Sequence, residues 1–213
     1  MMAKIKILIA DDHPIVREGF KQVLSETSDM VVADEASNGQ EVLNLVRKNK
    51  YDVILLDISM PGRSGLEILK ELRSENPKLP VLIVSIYPEE QYAVRAFRAG
   101  ASGYLTKASA PNELIAAIRK VSKGGRYISS SLAEKLTYYL DVDATKAPHE
   151  ALSDREYQVM LLIASGKTVT EIAEDLCLSV KTISTYRSHI LEKMKMKNNA
   201  EITLYAVQNK LVG

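Results

Sequence analysis

Residues 52–67 read DVILLDISMPGRSGLE, and the fold is decided there. Val53 to Leu56 is a short apolar run, Asp57 opens a turn, and a segment of helical spacing starts near Leu66 behind Ser64 and Gly65. The same succession occurs five times up to about residue 122. Its strands fall at Ile5 to Ala10, Val31 to Ala36, Val53 to Leu56, Val81 to Ile86 and Gly103 to Thr106, with helices starting near Pro14, Gln40, Leu66, Glu89 and Asn112. Strand and helix in alternation predict a five-stranded parallel sheet covered on both faces, an α/β doubly wound fold of the flavodoxin-like kind.

The pattern stops after Ser122. Residues 123–150 carry Gly124-Gly125, Ser129 to Ser131 and DVDATKAPHE and read as a linker, with LAEKLTYYL at 132–140 as a short helix inside it. From Leu152 the strand signal is gone, and apolar residues recur at helical spacing over about 154–165, 170–177, 181–195 and 200–209. The chain thus divides into an α/β domain at 1–122 and a small all-α domain of four helices at 151–213.

Composition narrows the class. Lys and Arg total 28 against 27 Asp and Glu, so the net charge of +1 neither favours nor opposes a nucleic-acid partner. Cys177 is the only cysteine, which excludes an internal disulfide and a thiolate metal cluster. The N-terminal MMAKIKILIADD reaches two carboxylates too soon for a signal peptide, and no run approaches the roughly 18 apolar residues of a membrane helix. A soluble cytoplasmic protein is expected.

In an open parallel sheet, functional groups gather beyond the carboxyl ends of the strands. Those ends carry Asp11 and Asp12, then Asp57, then Ser85, then Lys107. A lone Asp after a strand is more often a turn residue or helix cap; the joint arrangement is what is specific. Three neighbouring carboxylates repel unless a cation shares the site, and Mg²⁺, with its preference for oxygen ligands and retained water, suits them. Asp57 could then attack an in-line phosphoryl group while the metal and Lys107 neutralise its oxygens, and Ser85 could donate to the product.

Residues 4–122 resemble the receiver domain of two-component response regulators, through IADDHPIVREG, DVILLDISMPGRSGLE, LPVLIVS and AGASGYLTKA. The resemblance implies that Asp57 is the phosphoacceptor, that Asp11 and Asp12 hold Mg²⁺, and that the backbone carbonyl of Ser59 adds a ligand. It also implies that Ser85 and Tyr104 are the hydroxyl and aromatic switch residues, that Lys107 contacts the phosphoryl group, and that a histidine kinase is the donor. Two positions depart from the usual pattern: Ile86 follows the hydroxyl where a small residue is usual, and Ala108 follows the lysine where Pro is frequent. Tyr104 is expected to turn into space vacated by Ser85 on phosphorylation.

In the second domain, TEIAEDLCLSVKTISTYRSHILEKMK reads as helix, tight turn and longer helix, the helix-turn-helix pattern. Ile172, Ala173, Leu176, Ile183 and Ile190 form its apolar side, and Ser179 caps the second helix. Lys181, Thr182, Ser184, Thr185, Arg187, Ser188 and His189 are left for phosphates and base edges, with Lys193 among the basic residues that follow. Residues 152–206 resemble the LuxR-type output domain, with Glu156, Gly166, Glu171, Ile172, Ala173, Ser179, Lys181, Thr182 and Lys193 on its recurring positions and Tyr186 where His is frequent. The whole chain is therefore similar to regulators of the NarL/FixJ type, which implies double-stranded DNA as a partner and a homodimer formed through the last helix, whose apolar residues are Ile202, Leu204, Tyr205 and Val207. The coupling expected is that the unphosphorylated receiver covers the recognition helix and phosphorylation releases it.

A dehalogenase-like phosphatase would carry a second Asp where Ser59 stands, and an adaptor would not need the basic helix. His13 reads as a helix-entry residue, Cys177 as a core thiol on the scaffold helix, and His149 as part of the linker.

Overall fold

The computed structural model describes residues 4–129 and 147–212, and the chain divides into two compact units, Met1–Tyr139 and Leu140–Gly213. The helix expected at 132–140 lies outside the described residues.

The first unit contains strands β1 (Ile5–Ala10), β2 (Met30–Ala36), β3 (Val53–Leu56), β4 (Val81–Ser85) and β5 (Gly103–Thr106). Helices α1 (Pro14–Ser25), α2 (Gly39–Lys48), α3 (Gly65–Glu75), α4 (Glu89–Arg98) and α5 (Pro111–Ser122) alternate with them. All strand pairs are parallel in the order β2-β1-β3-β4-β5. Every residue of β3 and β4 is buried, as strands covered on both faces must be. One face packs Ile7, Ile9, Leu55 and Val84 against Leu24 of α1 and Leu114 and Ile118 of α5. Side-chain alternation sends Leu8, Ile54, Ile83 and Tyr104 to the opposite face.

Local chemistry sets the helix starts. Asn38 caps α2 by accepting from the Glu41 amide, and Ser64 with Glu67 forms a reciprocal capping box on α3. Gly65 answers a further demand: its amide donates to the Ile58 carbonyl at 2.9 Å, and a Cβ there would stand 2.0 Å from the Asp57 carbonyl oxygen. No side chain fits between α3 and the end of β3. Gly65→Ala is expected to lower stability by about 1–3 kcal/mol, read as a lower urea midpoint, since the clash is with backbone that cannot rotate away.

One expected strand end is corrected. β4 ends at Ser85, and Ile86 is 65% exposed beyond it, because the chain turns outward toward α4. Beyond Ser122 the chain still packs on the sheet, where the Tyr127 amide donates to the Ser102 carbonyl at 2.9 Å.

The second unit opens with a 3-10 turn, Pro148–Ala151, followed by α6 (Asp154–Ala164), α7 (Val169–Asp175), α8 (Val180–Met194) and α9 (Asn199–Gln208). Ser153–Glu156 and Thr168–Glu171 are capping boxes, and Ser179 caps α8 as expected. Ile172, Ala173, Leu176, Ile183, Ile190, Ile202 and Ala206 are buried together with Tyr157 and Met160 of α6. His149 belongs to this unit: its Nδ1 lies 2.7 Å from the Tyr205 hydroxyl, and its ring packs between Tyr157 and Tyr205. Cys177 is exposed, not in the core, because α7 stops at Asp175 and the chain passes Cys177 at a left-handed φ of +51°. Among the described residues no helix is long and apolar enough to cross a membrane.

Candidate functional site at the strand ends

With the order β2-β1-β3-β4-β5, the chain reverses its winding at β1 and β3, and a crevice opens beyond their carboxyl ends. Backbone hydrogen bonds carry the sheet register into that crevice. The Asp57 amide donates to the Ala10 carbonyl at 2.9 Å, the Asp11 amide to Ala36 at 3.1 Å, and the Lys107 amide to Ser85 at 2.7 Å. The five residues expected from the strand ends are thereby brought together.

Lys107 Nζ stands 2.9 Å from Asp57 Oδ2 and 2.6 Å from Asp11 Oδ2, joining the first and third strand ends. Both carboxylates are at most 2% exposed. Burial pushes the Asp57 carboxyl above the ordinary aspartate range, against the Lys107 ammonium and the Ser59 amide, which favour its charged form. Burial also works to lower Lys107, but the carboxylates of Asp57 and Asp11 outweigh it, and the ammonium is held firmly charged. One cation thus faces two buried carboxylates with Asp12 alongside, and the site is short of positive charge.

The donor set fits a hard divalent ion. Asp11, Asp12 and Asp57 each offer a carboxylate oxygen, these with a ring nitrogen of His13 lying within 4.8 Å of one another. Asp57 Oδ1 is buried without a well-formed hydrogen bond, which is the orphaned acceptor a cation would satisfy. His13 is the N-cap residue of α1, as its helix-entry reading required, and its Nδ1 also lies 2.9 Å from Asp12 Oδ1 and 3.2 Å from Asp11 Oδ1.

The two expected switch residues are adjacent but differently set. Ser85 is fully buried and its Oγ accepts from the Tyr87 amide at 3.3 Å. Tyr104 is turned inward: its ring is fully buried, and its hydroxyl donates to the Tyr87 carbonyl at 2.9 Å. Burial raises its pKa. The carbonyl that holds it belongs to the loop after β4, whose Tyr87 ring stacks on Tyr92 at 4.7 Å. Sequence reasoning missed Tyr87 and Arg17, since both act through backbone carbonyls; Arg17 Nη1 donates to the Asp11 carbonyl at 2.7 Å.

In the second unit, α8 presents Lys181, Ser184, Thr185, Ser188 and His189 to solvent, with Thr182 and Arg187 half-buried. Arg187 Nε donates to Asn199 Oδ1 at 2.6 Å. Lys193, expected among DNA contacts, has its ammonium 2.7 and 2.9 Å from the buried Glu156 carboxylate. That ion pair ties α8 to α6, and the Lys193 side chain remains 42% exposed. His189 Nδ1 lies 3.6 Å from the same carboxylate.

Residues 7–119 match the response regulator receiver domain, and residues 150–206 match the luxR family of bacterial regulatory proteins. The chain belongs to the two-component response regulators. Response regulator GacA of Pseudomonas protegens is 39% identical over 208 residues, covering 98% of each chain. Response regulator UvrY of Escherichia coli is 36% identical, covering 97% of this chain and 95% of its own. Among solved structures, RcsB of Salmonella typhimurium aligns with a TM-score of 0.69 at 26% identity over 98% of this chain and 99% of that one. A complex of the response regulator RcsB with DNA aligns at 0.60 and 27% identity over 99% and 100%. This response regulator is accordingly of the NarL/FixJ type, a receiver followed by a LuxR-type helix-turn-helix.

Proposed function

We propose that Asp57 accepts a phosphoryl group from a partner histidine kinase and that this controls sequence-specific binding of the LuxR-type domain to promoter DNA. The observation that carries the reading is the ammonium of Lys107 spanning the buried carboxylates of Asp57 and Asp11. Asp11, Asp12, Asp57 and the Ser59 carbonyl would hold Mg²⁺, which supplies charge neutralisation at the phosphoryl oxygens. An Asp57 carboxylate oxygen attacks phosphorus in line, the bond to the donor histidine nitrogen breaks, and that nitrogen keeps the electron pair. Lys107 moves with the new negative charge, and Ser85 exchanges its Tyr87 partner for a phosphoryl oxygen. Tyr104, anchored on Tyr87, carries that rearrangement to the loop before α4. The chain catalyses its own phosphorylation and slow dephosphorylation only, in the cytoplasm.

On DNA, α8 is the recognition helix, with Lys181, Thr182, Ser184, Thr185, Arg187, Ser188 and His189 toward phosphates and bases. Leu204 and Val207 of α9 are more than half exposed while Ile202 is buried, which favours the exposed pair as the contact between two copies. The phosphoacceptor assignment is tested by incubating the protein with acetyl phosphate and Mg²⁺, reducing the acyl phosphate with borohydride and mapping the product. Modification at Asp57 is expected; modification confined to another residue would overturn it.

A further inference from the structure

We propose that Arg17 is a positioning residue for phosphoryl transfer, acting through the backbone of Asp11 to hold the paired carboxylates in place for the divalent cation. The proposal deepens the phosphoacceptor reading and rests on it. Between β1 and α1 only Asp11, Asp12 and His13 intervene, so two of the metal-binding carboxylates sit on a three-residue connection. The Asp11 amide is tied to the Ala36 carbonyl of β2, which leaves the Asp11 carbonyl to be held from another element.

Arg17 supplies that hold from the first turns of α1. Its side chain is 17% exposed, and its planar fork is divided between two partners. Nη1 donates to the Asp11 main-chain carbonyl at 2.7 Å, and Nε donates to Glu35 Oε2 at 2.9 Å. Glu35 is on β2, in register with Ile9 of β1, so the guanidinium is anchored on the sheet itself. The carboxylate of Glu35 is held below the ordinary glutamate range by Lys21 first and by Arg17 after it, which keeps the anchor charged at neutral pH. The contact is charge-assisted at both ends, and a planar fork reaches two acceptors on different elements in a way a single ammonium does not.

Groups that orient metal ligands change metal affinity by about 10–100-fold when removed. The full-length protein, Arg17→Ala, Arg17→Lys and Glu35→Gln are titrated with Mg²⁺ alone, followed by tyrosine fluorescence or amide shifts of the Asp11–His13 connection. Phosphorylation by acetyl phosphate is followed across the same Mg²⁺ range, and urea midpoints are taken without metal. Arg17→Ala is expected to weaken Mg²⁺ binding at least about tenfold while its phosphorylation rate at saturating Mg²⁺ stays within about threefold of wild type. Arg17→Lys is expected between the two, and Glu35→Gln to shift affinity in the same direction by a smaller factor. Unchanged Mg²⁺ affinity in Arg17→Ala overturns the proposal, including where its urea midpoint falls, since Arg17 would then only tie α1 to β2. Should Arg17→Ala not fold, unchanged affinity in both Arg17→Lys and Glu35→Gln overturns it equally. Wild-type protein that takes no phosphoryl group at Asp57 is a separate result and counts against the phosphoacceptor reading instead.

Discussion

Asp57→Asn is expected to lose phosphorylation by acetyl phosphate at least about a thousandfold, because the amide is a far weaker nucleophile than the carboxylate it replaces. The substitution keeps shape and burial, so the fold survives, and its stability carries a second signal. Burial holds the Asp57 carboxyl above its unfolded value, so its charged form opposes folding. That opposition is absent below the ordinary aspartate pKa of about 4 and complete above the raised value. Without metal, Asp57→Asn should therefore unfold at higher urea than wild type at neutral pH, and the difference should vanish as the pH is lowered into the ordinary aspartate range. A variant no more stable than wild type at neutral pH would mean that Lys107 offsets the burial of Asp57 completely.

Lys107→Ala is expected to have the largest effect on stability. It removes the ammonium that faces Asp57 and Asp11 and leaves two carboxylates buried without a cation. Breaking a buried pair from one side costs about 3–5 kcal/mol. In EDTA the urea midpoint should fall accordingly, and millimolar Mg²⁺ should recover part of the loss by occupying the same carboxylates. Phosphorylation should slow as well, since the equatorial oxygens lose one of their two sources of positive charge. An EDTA midpoint equal to that of wild type would contradict the electrostatic account of the site.

Much of this was legible in the residues themselves. The apolar run Val53–Leu56 is strand because both faces are covered, and the starts of α1 and α4 fall at Pro14 and Glu89 as the turn chemistry indicated. Asp11, Asp12, Asp57, Ser85 and Lys107 could be assembled because parallel strands end on one side, and the sheet order does the rest. What escaped depends on main-chain partners and on pairings distant in sequence. Arg17 meets a carbonyl, which leaves no mark in residue type. Tyr104 is held by the Tyr87 carbonyl, so its resting position could not be read from its chemistry. The pairing of Lys193 with Glu156, 37 positions earlier, leaves no local mark in the sequence. The apolar spacing of 170–177 predicts a helix that runs through Cys177, whereas α7 ends at Asp175 and a left-handed turn exposes the thiol.

Charge gained at Asp57 is expected to govern what α8 does on DNA. Moving a two-state equilibrium from about 1:99 to 99:1 takes roughly 5.5 kcal/mol, within reach of a few charge-assisted contacts. The direct measurement is the affinity of the full-length protein for its promoter DNA at fixed salt, with and without acetyl phosphate, in wild type and Asp57→Asn. Tighter binding on phosphorylation in wild type, with Asp57→Asn unresponsive and weak, is the predicted result; Asp57→Asn binding as tightly as the phosphorylated protein would contradict it.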